Sequence, residues 1–511
     1  MNNKLLRAAT LLLILSAALS GCAADAEETT AGSANESATE SAAETIEETE
    51  AIETSETSTL EAGVYINGRL VELEDDSTVD LDLLSVENGI TVTVVKEDDE
   101  QVLVNGEEVE STLSLDITAI TREDVLEIEV TDEEDTLTCT VNLMPSDFGD
   151  FTTEGESQTG GDYYLSTYDE DTNYIFKLDS SGNLIFYKET GDNALDFRKV
   201  YNSDGEVRYT YLQYLENSFC GISGINPGCV VVMDENYDVI DELYYQTEDG
   251  EDRMVDPHGF IYLDDGHYIL TSYVDEVVED IPEDLEATDN SAYLAVLYVQ
   301  EIQDGEVLWE FCSRDYESFL YATTAVTWSE STDSCYDYMH FNSMYIDEDD
   351  HLLISCRNIN SILKLSRETG ELVWILGGTE DEFGLTDDQL FSKQHSIIVT
   401  ADGSYMIFNN ANDEVSAGTT ESSSIIRLKV DESTMEVTEY TEYETDFYSN
   451  YMGSIRELDS EEGIYLWAVG GNYSGEIPEY SMVEYSETDG VLFTFRFDEG
   501  SRKLYCANKC E

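Results

Sequence analysis

Apolar and polar positions alternate along several short stretches between Ala62 and Met144: "GVYINGRLVEL", "GITVTVVK", "QVLVNGEEVE", "STLSLDITAI", "DVLEIEVTD" and "TLTCTVNLM". A period of two puts one face of a strand on a core and the other in water. Asn67-Gly68 and Asn105-Gly106 are hairpin-turn pairs, because both residues tolerate the positive φ that a tight two-residue turn needs. Strands this short and this close predict a small immunoglobulin-like β-sandwich over residues 61–148. Nothing in it carries chemistry, which suits a spacer or docking domain.

The remainder, residues 149–511, repeats a looser unit. "HGFIYLDDGHYILTSY" begins at His258, "HFNSMYIDEDDHLLISCR" at His340 and "HSIIVTADGSYMIFNN" at His395. Each runs from a His through a strand to an acidic turn and returns as a second apolar strand. Asp265, Asp347 and Asp402 each stand seven residues after their His. A fourth copy, "GSIRELDSEEGIYLWAVGG", has Gly453 in the leading place. Repeated hairpins with uneven insertions predict a β-propeller, and the length allows about six blades of four strands. The expected fold is therefore all-β, a six-bladed propeller preceded by the sandwich.

The pattern breaks at the N-terminal end. The opening "MNNKLLRAATLLLILSAALSGC" has a basic start and an apolar run, the form of an export signal. Its Leu19-Ser20-Gly21-Cys22 ending resembles a bacterial lipobox, so residues 1–22 are expected to be a lipoprotein signal with Cys22 the lipidated residue. An ordinary secretory signal with a chance Cys is the alternative. Residues 23–60 are Ala, Glu, Ser and Thr almost without aromatics. Such a segment cannot bury enough apolar surface to order itself and reads as a disordered tether. These features predict an exported protein facing the extracytoplasmic side, held to the bacterial membrane by a lipid anchor only.

The charge narrows the partners. Asp and Glu number 113 against 23 Lys and Arg, a formal charge of −90. A polyanion is repelled by DNA and RNA, where binding depends on cations that release counterions. No loop has the ligand spacing of a calcium site, and no CxxC pairs suggest zinc. Export permits disulfides among the cysteines that follow Cys22; Cys220 with Cys229 and Cys506 with Cys510 are the local pairs expected.

Against this acidity, three of only five His occupy one repeat position. Equivalent leading strands of propeller blades face a common axis, so His258, His340 and His395 are expected to converge. A repeated packing histidine is the bland alternative. A four-residue Asp347–Asp350 turn would set Ile346 against His351 and, counted outwards, His340 against Arg357. Opposed residues share a sheet face, and Asn342, two positions on, would join them. The guanidinium fork suits an oxyanion, although Arg357 could instead pair with one of many carboxylates. A neutral imidazole can attack phosphorus or sulfur, and a second can carry the proton of a phenol.

With these residues the sequence resembles the bacterial arylsulfate sulfotransferases that work without a nucleotide sulfate donor. "NLMPSDFGDF", "DPHGF", "HFNSMYID", "LLISCRNINSILKLSRETGELVWILGG", "FSKQHSI" and "YSNYMGSIRELD" carry the likeness in order along the exported part. The resemblance implies a six-bladed propeller with its site in the central channel. It implies that His395 is sulfated transiently by an aryl sulfate, with His340 and His258 assisting proton transfer. Arg357 and Asn342 would bind the sulfuryl oxygens, and a second phenol would then take the group in a ping-pong scheme. It implies no cofactor and no metal, small aryl sulfate donors and phenolic acceptors as partners, and, by analogy, a homodimer. Some family members brace the loop before the nucleophile strand with a disulfide, whereas residues 376–390 contain no Cys. A surface propeller that only binds ligands or proteins, and a hydrolase passing sulfate to water, are the competing readings.

Overall fold

Antiparallel strands account for almost all the regular structure in the computed structural model, which describes residues 60, 62–168, 172–216, 218–222, 224–247, 252–330, 334–411, 422–471, 479–498 and 503–510. The expected export signal, Cys22 and the tether up to residue 59 lie outside the described residues. Helix is nearly absent among the described residues: one α-helix, Ser318–Ala322, and a few 3-10 turns. No described helix is long and apolar enough to cross a membrane.

The N-terminal strands form two sheets. Arg69–Val71, Gly63–Ile66, Ile90–Val95 and Thr112–Leu115 make one. Ser77–Asp80, Thr136–Asn142, Val125–Thr131, Gln101–Val104 and Glu107–Glu108 make the other, with its first pair parallel. The two Asn-Gly turns adopt positive φ at both residues: 48° and 82° at Asn67-Gly68, 52° and 78° at Asn105-Gly106. Inward Val64, Val92, Val102, Val130 and Val141 share a core that runs on through Phe148 into Tyr163, Leu466 and Phe493. The strand Leu83–Ser85 adds to the edge of a later sheet, and Glu87 receives the ammonium of buried Lys177 at 2.6 Å.

Six four-stranded meanders follow among the described residues. Their inner strands are Asn508–Cys510, Ala194–Tyr201, Ile261–Asp264, Phe341–Ile346, His395–Val399 and Ser454–Asp459. The first sheet takes its inner strand from the C-terminus and continues through Asp162–Ser166, Asn173–Leu178 and Leu184–Gly191. The last runs from Ser454–Asp459 outwards and gains Phe151–Gly155 on its far edge. Middle strands such as Leu352–Cys356, Tyr405–Asn409 and Ile464–Ala468 are buried along their whole length. That is why they read as unbroken apolar runs rather than alternating ones. The repeated turn carboxylates each hold a cation: Asp347 holds Lys364 at 2.7 Å and Asp402 holds Arg427 at 2.8 Å within their own sheets, and Asp265 holds Arg208 of the preceding sheet at 2.7 Å.

Two local expectations are corrected. Ile346 faces Leu352, not His351, so the hairpin is one residue out of the counted register. A bulge at Asn342 then restores the pairing, and the Arg357 amide donates to the His340 carbonyl at 2.8 Å. The bulge also breaks the alternation that would have aligned Asn342 with His340. The expected disulfides are absent: all eight described cysteines carry free thiols. Cys506 Sγ instead contacts Asp196 Oδ1 at 3.2 Å, and Cys229 lies buried within the sheet of Gly228–Met233.

Candidate active site

The segments around the inner strands converge on one cavity of about 1000 Å³. All six meanders contribute: Tyr168 and Tyr505, Tyr214, His258, His340 with Arg357, His395, and Tyr451 line it. The three histidines that share a repeat position therefore meet. The His258 and His340 rings lie 5.1 Å apart, and the Tyr505 ring stands 6.2 Å from His258 and 5.2 Å from His395.

Each imidazole is held through Nδ1, but by different acceptors. His395 Nδ1 lies 2.7 Å from the Gly453 carbonyl oxygen. A carbonyl only accepts, so the proton is on Nδ1 and the neutral ring has its lone pair on Nε2. Burial, the charge of His258 and, more weakly, His340 and Arg357 hold His395 well below the ordinary histidine range, against the pull of the Gly453 bond. It is a neutral imidazole at physiological pH.

His258 Nδ1 lies 2.7 Å from Asp256 Oδ1, and His340 Nδ1 lies 2.5 Å from Asp337 Oδ2. Burial opposes charge on both rings. At His258 the Asp256 carboxylate outweighs it, and the ring is held above its usual value. At His340 burial wins over Asp337, helped by the charges of His258 and Arg357, and the ring is held below it. Environments that push two neighbouring imidazoles apart separate a proton donor from an acceptor. The Arg357 side chain sits on the 3-10 turn Arg357–Ile359 directly after its strand and donates to Asn358 Oδ1 at 3.1 Å.

Asn342 stands apart from this group. Its Nδ2 donates to the Gln394 carbonyl at 2.6 Å, and its side chain lines a smaller cavity beneath. It steadies the peptide that leads into His395. Ser396 is the extra residue of a second bulge, at φ 68°, and lines the same lower cavity. The loop before the His395 strand, which lacks cysteine, is braced by carboxylates. Asp381 accepts from the Gly377 and Leu385 amides at 2.9 and 2.8 Å, and Glu382 from Ile375 at 2.8 Å.

Sequence reasoning missed Asp256, Asp337, Gly453 as an acceptor, and Tyr505. The acids had a signal: "DPH" and "DYMH" place a carboxylate two or three residues before each paired His. Gly453 occupies the leading place of the fourth repeat, where a Cβ would stand 2.5 Å from the Phe408 ring. Tyr505 had none, since it arrives from the chain end.

Among solved structures, the chain is similar to a protein of unknown function from Bacteroides caccae, with 9% identity, 66% of this chain and 93% of that one covered, and a TM-score of 0.38. It is similar to a protein of unknown function from Dyadobacter fermentans (11% identity, 69% and 98% covered, TM-score 0.36). It is also similar to virginiamycin B lyase from Staphylococcus aureus (11%, 68% and 99%, 0.31). No curated protein matches. The family model described as arylsulfotransferase (ASST) matches residues 214–493, more than half of the chain, and takes in all three histidines and Arg357; the protein belongs to the arylsulfotransferase family.

Proposed function

We propose that the protein moves a sulfuryl group from a phenolic sulfate ester to another phenol through a sulfohistidine on His395. The observation that carries this reading is the tautomer of His395: Nδ1–H fixed on the Gly453 carbonyl leaves Nε2 as a neutral nucleophile in the cavity. In the first half-reaction Nε2 attacks sulfur and the S–O(aryl) bond breaks. Arg357 lies beside the transferring oxygens and offsets their charge. The departing phenolate takes a proton from the His258–His340 pair, whose proton resides on the His258 side. In the second half-reaction the same pair accepts the proton of an incoming phenol, whose oxygen attacks the sulfur and releases His395. Asp256 and Asp337 hold the two rings in place, and Asn342 positions His395 through Gln394. The tyrosines of the cavity offer flat faces and hydroxyls to aromatic substrates.

This reading takes the six meanders as blades of a propeller around the cavity, and the N-terminal sheets as an immunoglobulin-like domain. The chain is exported and anchored through Cys22 at the extracytoplasmic face of the membrane. A chromogenic aryl sulfate tests the reaction. Added phenol should speed release of the chromophore and yield a new aryl sulfate, and His395→Ala should lower turnover by at least ~10³-fold. Inorganic sulfate as the product at every phenol concentration would make the enzyme a hydrolase. Full turnover by the alanine variant would remove His395 from the chemistry.

A further inference from the structure

Two thiols lie side by side at the edge of the cavity. Tyr293 Oη lies 3.2 Å from Cys220 Sγ and donates its own proton to Asp275 Oδ2 at 2.8 Å, so the Cys220 thiol is the donor in the sulfur contact. The Cys335 thiol is within hydrogen-bonding reach of both Cys220 and Tyr293. The backbones are close as well: a Cβ added at Gly221 would stand 3.4 Å from Ser334 Cβ. The Tyr336 amide bonds the Tyr293 carbonyl at 2.7 Å, which fixes Cys335 beside that strand. Cys335 lines the cavity, while Cys220 is half-buried.

Both segments lead to His340. Asp337, two residues past Cys335, holds Nδ1 of the ring. Gly224, four residues past Cys220, packs so that a Cβ there would lie 3.7 Å from His340 Cε1.

We propose that Cys220 and Cys335 form a disulfide that clasps the two segments flanking His340, made by exchange with a low-molecular-weight or protein-borne disulfide. Cys220, the more accessible thiol, attacks as the thiolate and expels one thiol of the oxidant, leaving a mixed disulfide. Cys335 gives up its proton, attacks the Cys220 sulfur and expels the second thiol. Two protein thiols and one disulfide become one protein disulfide and two thiols. Burial and the neighbouring Cys220 push the Cys335 thiol up to about 12, so it ionises with difficulty and attacks only once the mixed disulfide holds the Cys220 sulfur beside it. Extracytoplasmic surroundings supply such oxidants.

The cross-link does not depend on the sulfuryl-transfer reading, and its test does not measure turnover. Fully reduced protein is incubated with oxidised glutathione, alkylated and mapped by mass. The expected result is a linked peptide joining Cys220 to Cys335 and a higher Tm than the reduced form, as expected of a long closed loop. Cys335→Ser should instead retain glutathione on Cys220. The clasp is read separately by acylation with diethylpyrocarbonate, which should label His340 more slowly in oxidised than in reduced protein. Two free thiols after oxidation, or Cys220 joined to another cysteine, overturns the cross-link. Equal labelling of His340 in the two forms overturns the clasp.

Discussion

Three imidazoles in one cavity differ in what their Nδ1 atoms touch, and that difference carries the chemistry. Burial keeps His395 neutral while a peptide carbonyl fixes its tautomer, whereas carboxylates hold His258 and His340. Replacing Asp256 by Asn removes the charge that raises the His258 pKa. Its kcat/KM should fall by ~10–100-fold, and the alkaline limb of the pH profile, where the proton is lost from His258, should move to lower pH. An unmoved limb would assign that proton elsewhere. Stability should follow pH through His395 as well. Its folded pKa lies well below that of the unfolded chain, about 6.5. As pH falls through that value the unfolded state takes up a proton that the folded state refuses, and stability declines. His395→Asn can keep the bond to Gly453 without titrating. Its unfolding free energy, compared with that of the parent protein at pH 7.5 and pH 5, should therefore drop less; an equal drop would refute the depressed pKa. The histidines themselves were legible from register, because five His among so many acids made three coincidences visible. Their carboxylate partners were close in sequence but lost among 113 acidic residues.

At the scale of strands, bulges aim the site. Three inner strands carry one extra residue at comparable places: between Leu195 and Arg198, at Asn342, and at Ser396. Each sends a side chain, Asp196, Asn342 or Ser396, into the small cavity beneath the histidines. Period-two patterning could not show this, since a bulge leaves the apolar sequence on either side intact. The hairpin from His340 to Arg357 illustrates the consequence. Alternation alone pairs the right two residues through a wrong register and then misplaces Asn342. Gly453 is the matching feature on the neighbouring sheet. Its φ of 98° and the Phe408 ring leave no room for a Cβ. Gly453→Ala should cost roughly 1–3 kcal/mol of stability and lower kcat by shifting the carbonyl that orients His395. An unchanged kcat in folded protein would mean that this bond does not set the tautomer.

Strands far apart in sequence complete the first and last sheets. The C-terminal strand Asn508–Cys510 begins the first meander, and Phe151–Gly155 ends the last. These short pieces carry no periodicity strong enough to assign from sequence, so hairpins and turns were readable while these long-range pairings and Tyr505 were not. The charge of −90 acts at this scale too. In the proposed reaction an anionic donor approaches against the field of the surface, and the cationic groups of the cavity act only at short range. The Debye length falls from about 30 Å at 0.01 M to about 8 Å at 0.15 M ionic strength. Raising salt over that range should therefore increase kcat/KM for the aryl sulfate while leaving the KM of a neutral phenol nearly unchanged. A fall in kcat/KM for the donor would mean that attraction, not repulsion, governs its entry.

The proposed covalent step is open to direct observation. The protein is mixed briefly with an aryl sulfate in the absence of acceptor, quenched under alkaline conditions, and its intact mass and peptides are measured. A gain of one sulfuryl group on the peptide containing His395, discharged on adding phenol, is the expected result. Unmodified protein after release of a full equivalent of phenol, or a sulfuryl group on another residue, would contradict it.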